Sequence, residues 1–422
     1  MLGRMRVSGA GQGARVSRGS TGGGRTVAVV AAWGLLVTGV AGCNDASSSG
    51  GAAGAATSAS SSTPTARIEV SVPDGMKGVG ASSVVTVKAV GGELGAVSLA
   101  SADGKRTVTG KVGSDKVWSS SGALLPGTTY KVTATARAEG GGQTTSTSSF
   151  TTVTPEKVIG YTVTPDGWTV GSGMPVQVNF DAPVRSAAAK AEIESRLSLT
   201  STPAQPGAWG WTSDSTLMYR PQAYWAAGTS VVVKAPLAGL QVAPGAYLME
   251  DNGATMTIGT QRVMRVDLAA HTMTLKENGA LVRTFPISGG RPGERFETRG
   301  GTKLIQDKHA EIVMDSSTFG IDKADPEYYK TKVKWAMRIT DSGEYLHSAP
   351  WSVPDQGRAN VSHGCINMAP GDAEWLFNRV QYGDPVENVN SHIPLQPGES
   401  GIPVWLWSWP QWQAKSALAA KS

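Results

Sequence analysis

From Arg67 to Gly259 the apolar residues recur at every second position in short runs, and Gly, Asp or Ser cuts each run before a helical period develops. Ile68, Val70 and Val72 form one such run, Val85, Val87 and Ala89 another, and Tyr130, Val132 and Ala134 a third. The pattern resumes at Tyr161 and Val163, at Val176, Val178 and Phe180, and at Val231 and Val233. A period of two sends alternate side chains to opposite faces, so each run reads as a half-buried strand. Only the stretch from Ser186 to Arg196 has room for a helical period.

The landmarks also repeat. Trp118, Pro126 and Gly127-Thr128-Thr129-Tyr130 are echoed by Trp211, Pro221 and Gly228-Thr229-Ser230-Val231, roughly 100 residues later. Two blocks of that length, 67–153 and 154–259, predict tandem immunoglobulin-like β-sandwiches. Neither contains a cysteine, so the sandwich disulfide of antibody domains is absent.

A third block, 260–388, is mixed but mainly β. Alternation at Val263, Arg265 and Asp267 is followed by Met273 to Leu275, an Asn278-Gly279 turn and Leu281 to Ile287, a strong hairpin signal. Further strands are expected at 303–305, 311–314 and 335–339, and a short helix at 371–379, beginning near Asp372. The segment 389–422 carries Trp405, Trp407, Trp409 and Trp412. In an extended chain the first three would share a face; they could stack on sugar, but the favoured reading is a tail packed back onto the preceding domains. The fold class is therefore mainly β, with two sandwiches, a β-rich third domain and a Trp-rich tail.

Charge narrows the partners. The 38 Lys and Arg exceed the 33 Asp and Glu by five, and Arg4, Arg6, Arg15, Arg18 and Arg25 all precede Cys43, so the rest of the chain is formally neutral. That argues against a nucleic-acid partner. The arginines lead into an apolar run from Val27 to Gly42, too short to span a bilayer as a helix but suited to a secretory signal over 1–42. Val40-Ala41-Gly42-Cys43 resembles the lipobox of bacterial lipoproteins, which implies a lipid on Cys43 and an anchor on the outer face of the cell membrane. Residues 43–66, rich in Ser, Ala, Gly and Thr, read as a flexible tether.

With Cys43 lipidated, Cys365 has no partner for a disulfide, and a lone thiol in a secreted chain is a candidate reactive group. It lies in Ser362-His363-Gly364-Cys365-Ile366-Asn367, with His347-Ser348-Ala349-Pro350-Trp351 eighteen residues upstream. A cysteine attacks as thiolate and needs a neighbouring base. His347 and His363 are the histidines near it in sequence.

These segments resemble the L,D-transpeptidases that cross-link bacterial peptidoglycan. Their motif is a histidine, a spacer, Ser/Thr-His-Gly-Cys, an apolar residue and Asn or Arg. The likeness extends to Met314-Asp315-Ser316-Ser317-Thr318-Phe319-Gly320, Tyr329 and Ser342-Gly343, and the two β-domains are similar to those of actinobacterial lipoprotein members. The resemblance implies Cys365 as nucleophile, His347 as general base and the Ser348 carbonyl as the group fixing the imidazole tautomer. It implies an oxyanion site at the N–H groups of Gly364 and Cys365 with help from Tyr329. Asn367 and His363 would buttress the loop, while Met314, Ser342, Gly343 and Trp351 would line the donor groove.

The implied reaction attacks a tetrapeptide stem at its third residue, releases D-alanine, and passes the acyl group to the side-chain amine of a diaminopimelate-containing stem as a 3→3 cross-link. Carbapenem β-lactams are the implied acylating inhibitors, and no cofactor or metal is implied. Two other readings stay open: transfer to water, as in an L,D-carboxypeptidase or an enzyme that detaches wall proteins, and a non-catalytic wall-binding lipoprotein. One departure is Thr298-Arg299-Gly300-Gly301-Thr302, where many members have Thr-Pro before the glycine.

Overall fold

The computed structural model describes residues 65–419. The leader, the tether and the lipidation expected at Cys43 lie outside the described residues. Among those described, no helix is long and apolar enough to cross a membrane.

The alternating runs of the first block build two sheets, one of four strands and one of five, packed face to face. Their inward residues, Val85, Val87, Leu99, Trp118, Tyr130, Val132 and Phe150 among them, form a single core. The second block repeats the plan with two four-stranded sheets and a small three-stranded one. Here Val176, Val178, Trp211, Leu217, Trp225, Val231 and Val233 meet in the middle. The helix expected after Ser186 is present as Ala187–Arg196, with the Ser186 hydroxyl accepting from the Ala189 N–H.

The third block folds around a nine-stranded sheet. In spatial order its strands are Gly301–Leu304, Pro385–Val389, Arg262–Asp267, Thr272–Glu277, Ala280–Ser288, Ile366–Met368, Tyr345–Ser348, Lys330–Arg338 and Asp307–Asp315. The hairpin turn falls at Asn278-Gly279, where both residues take positive φ, 48° and 83°. Met264, Val266, Leu275, Phe285, Ile287, Leu346, Ile366 and Met368 are buried together, and the helix Pro370–Phe377 covers them with Ala373 and Leu376.

Boundaries differ from the sequence reading in physical ways. The helix starts at Pro370 rather than near Asp372, because proline suits the first helical position, and it ends before Arg379. Three strands had no forecast: Tyr345–Ser348, Ile366–Met368 and Pro385–Val389. The first two are buried at every residue, so they lack the polar alternation that marks a strand with one wet face.

The C-terminal tryptophans are not on an extended segment, which corrects the shared-face expectation. Val404–Leu406 is a 3-10 turn and Trp409–Gln413 a helical turn capped by Ser408 and Gln411. The tail packs on the second sandwich. Trp412 Nε1 donates to Ala208 O at 2.9 Å, Trp405 Nε1 to Gly173 O at 2.7 Å, and Arg220 lies over the Trp405 ring.

Candidate active site

Two short strands bring the thiol and the imidazole together. Tyr345–Ser348 and Ile366–Met368 run parallel, with Leu346 opposite Ile366 and His347 opposite Asn367. In a parallel pair, opposed residues share a face, and the face repeats every second residue. His347, Asn367 and, one step before its strand, Cys365 therefore lie on one side of the sheet. They line a single cavity of about 350 Å³ with Met314, Tyr329, Trp351 and His363.

The turn that delivers Cys365 is fixed by hydroxyls that the sequence reading did not single out. Gly364 has φ 124°, a conformation that side chains rarely adopt. The Ser362 hydroxyl donates to the Cys365 carbonyl at 2.6 Å and accepts the Gly364 N–H at 3.1 Å. Thr298 Oγ1 donates to the Gly364 carbonyl at 2.8 Å and accepts the Gly290 N–H at 2.8 Å. The expected oxyanion pair is thus incomplete at rest, because the Gly364 N–H is already engaged by Ser362.

His347 is buried, and its Nδ1 lies 2.9 Å from the Ser348 carbonyl. A carbonyl can only accept, so Nδ1 carries the proton and Nε2 keeps its lone pair. Burial holds the imidazole down to about 4, with the Ser348 bond opposing the shift. Burial also pushes the Cys365 thiol up to about 12, while a bond from the Tyr345 backbone N–H pulls the other way. The thiol contacts the Gly343 carbonyl at 3.8 Å. Near neutral pH the resting site therefore holds a neutral thiol and a neutral imidazole.

The remaining expected residues divide between two cavities. Met314 packs beside Cys365, and Trp351, exposed to 54%, sits at the mouth with its ring 6.0 Å from that of His347. Ser342, Gly343 and Gly364 line a second, more polar cavity of about 320 Å³ instead, so they do not share one groove with Met314 and Trp351. Tyr329 and His363 border both cavities, their rings 5.1 Å apart. Burial keeps the Tyr329 hydroxyl protonated well beyond the usual range.

Asn367 does not buttress the cysteine turn; its Nδ2 donates to Ser352 Oγ at 3.0 Å and so holds the turn that follows His347. His363 Nε2 lies 2.9 Å from Glu327, which also pairs with Arg291. That cluster ties the cysteine turn to the segment 316–329. Ser362 is a motif residue whose bonding the motif does not specify, while Glu327 and Thr298 carried no sequence signal for their roles, since their partners lie 36 and 66 residues away. Among the described residues no group of three His, Cys, Asp or Glu side chains is arranged to hold a metal ion.

Several known proteins are similar to this chain. Residues 261–387 match the family model of the L,D-transpeptidase catalytic domain, and residues 76–241 that of a bacterial Ig domain. The chain is 35% identical over 355 residues to L,D-transpeptidase 2 of Mycobacterium tuberculosis, covering 84% of this chain and 85% of the relative. It is 32% identical over 351 residues to L,D-transpeptidase 5 of the same species, covering 80% and 75%. Among solved structures, L,D-transpeptidase 3 of Mycobacterium tuberculosis with a faropenem-derived adduct is 33% identical over 54% of this chain and 96% of that one, with a TM-score of 0.46. The chain belongs to the L,D-transpeptidases, with immunoglobulin-like domains ahead of the catalytic one.

Proposed function

We propose that this chain cross-links peptidoglycan stems 3→3 through a thioester on Cys365, on the outer face of the cell membrane to which a lipid on Cys43 anchors it. The observation that carries the chemistry is that two parallel strands set His347, and Cys365 just ahead of its strand, on one face where both line one cavity.

The donor tetrapeptide lies in that cavity with the carbonyl of its third residue against the sulfur. As the S–C bond forms, the thiol proton passes to His347 Nε2, the nitrogen left free by the Ser348 bond. The Cys365 N–H, and the Gly364 N–H once the Ser362 hydroxyl turns away, stabilise the oxyanion. Collapse breaks the C–N bond, and His347 returns the proton to the departing D-alanine amine. The side-chain amine of a second stem then attacks the thioester, its proton leaves through His347, and the sulfur departs and regains a proton. No cofactor enters the balance.

The same thiol accepts the acyl group of a carbapenem, and this labels the nucleophile. Incubated with tetrapeptide muropeptides, Cys365→Ala is expected to give no 3→3 dimer and no acyl adduct by mass spectrometry. Dimer formation by that variant at the native rate would sink the proposal.

A further inference from the structure

A pair of charges buried behind the cysteine takes no part in these steps. The Lys303 side chain, on the strand Gly301–Leu304, is 0% exposed, and its ammonium pairs with Glu344, whose side chain is 8% exposed. Both oxygens of Glu344 are used: one takes Lys303 Nζ, and the other accepts the Arg299 N–H at 2.7 Å. The Glu344 N–H donates to Thr340 Oγ1 at 2.9 Å, and its carbonyl accepts the Ile339 N–H at 2.9 Å. A buried ion pair adds little stability over apolar residues of similar volume, because desolvation offsets the attraction. Stability is therefore a poor account of this pair.

Its place in the chain gives a better one. The two neighbours of Glu344 supply the two backbone groups that touch the sulfur, the Gly343 carbonyl and the Tyr345 N–H. A Cβ on Gly364 would lie 3.9 Å from Glu344 Cγ, so the side chain also runs beneath the cysteine turn. His347, Tyr329 and Tyr345 also surround the sulfur, and burial keeps each of them neutral near neutral pH, while His363, which lines the same cavity, is paired with Glu327. Glu344 and Lys303 are the charges that bear on the thiol, the carboxylate opposing its ionisation and the ammonium favouring it. Arg299 lies next to Lys303 and opposes the charge there.

Taking Cys365 as the nucleophile, we propose that Lys303 and Glu344 are positioning residues for its ionisation: Glu344 anchors the backbone that cradles the sulfur, and Lys303 cancels the charge Glu344 brings. Removing the lysine leaves a carboxylate alone beneath the thiol and suppresses the thiolate. Removing the carboxylate takes away the charge that opposes the thiolate and promotes it, and burial then favours loss of the Lys303 proton, which limits the gain. Removing both restores the balance.

The test is the rate at which iodoacetamide alkylates Cys365 in the full chain near neutral pH, read on the Cys365 peptide by mass spectrometry. Far below the thiol's pKa this rate follows the thiolate fraction, about tenfold per pKa unit. It reports ionisation whether or not Cys365 transfers acyl groups, so its outcome stands apart from the cross-linking assay. Lys303→Met is expected to slow alkylation about tenfold, Glu344→Gln to speed it several-fold, and the double variant to come within about threefold of the native rate. Single variants that shift the rate in the same direction, or leave it unmoved while folded by circular dichroism, overturn the proposal. Should Lys303→Met fail to fold, the double variant decides, because it leaves no orphaned carboxylate; a tenfold deficit there overturns the proposal too. A purely structural role would lower melting temperatures without splitting the sign of the rate change.

Discussion

Replacing Thr298 by valine tests whether one buried hydroxyl holds the cysteine turn. Thr298 is 0% exposed, and its Oγ1 joins the Gly290 N–H to the Gly364 carbonyl, both at 2.8 Å. Valine keeps the shape, so no cavity forms and the loss is confined to hydrogen bonding. It leaves one donor and one acceptor unsatisfied in the interior, at about 1–3 kcal/mol each, which gives about 2–6 kcal/mol in all. With three large cores among the described residues, a global unfolding midpoint would mix their contributions. Amide hydrogen exchange over 288–298 and 362–368 isolates the site. A local loss of about 2 kcal/mol speeds exchange roughly 30-fold in those segments and leaves both sandwiches unchanged. Carbapenem acylation should slow with it, while Thr298→Ser should retain most of both. Native exchange and acylation in Thr298→Val would refute the claim that this hydroxyl sets the turn.

Two further outcomes follow from backbone and charge. Gly343 has φ 98°, and a Cβ there would run into the Phe319 ring; Gly343→Ala should cost about 1–3 kcal/mol and slow acylation by moving the carbonyl that contacts the sulfur, measured by thermal melting and adduct formation. Burial raises the Asp384 carboxyl to about 7. The folded chain thus keeps a proton that the unfolded chain has lost, and the stability from this group is full below about pH 4 and gone above about pH 7. Asp384→Asn, which mimics the protonated form, should therefore stabilise the chain in urea above pH 7, with a ceiling of about 4 kcal/mol, and give no gain near pH 4.

How much was legible in the sequence depended on the range of the interaction. Strands with one wet face announced themselves by alternation, as at Val176–Phe180, and the hairpin at Asn278-Gly279 by its turn residues. The strands that carry His347 and follow Cys365 are dry on both faces and showed no period, so only the motif located them. Within the motif, spacing named the cysteine and the histidine but not how the turn is held. Ser362 acts on residues two and three positions away, yet a serine there has no signature of bonding to both. Thr298 and the Lys303–Glu344 pair act across 66 and 41 residues of chain, and only the folded sheet brings them to the site. The tryptophan tail failed for a related reason: alternate spacing implied one face, but prolines at 403 and 410 turn the segment into short helical pieces.

The resting charges of the site constrain how the proposed acylation proceeds. With burial holding the imidazole down and pushing the thiol up, moving the proton in the empty cavity runs uphill. Burial therefore disfavours a thiolate–imidazolium pair in the empty cavity. The proton moves as the sulfur bonds to the carbonyl, when the new negative charge leaves the sulfur for an oxygen that backbone N–H groups can meet. The same burial makes the idle thiol a poor target for oxidants, which act on the anion. A single unpaired cysteine outside the cell membrane, the placement proposed here, is thus protected by the desolvation that makes its ionisation costly, and the bound stem peptide must supply the stabilisation that an empty cavity lacks.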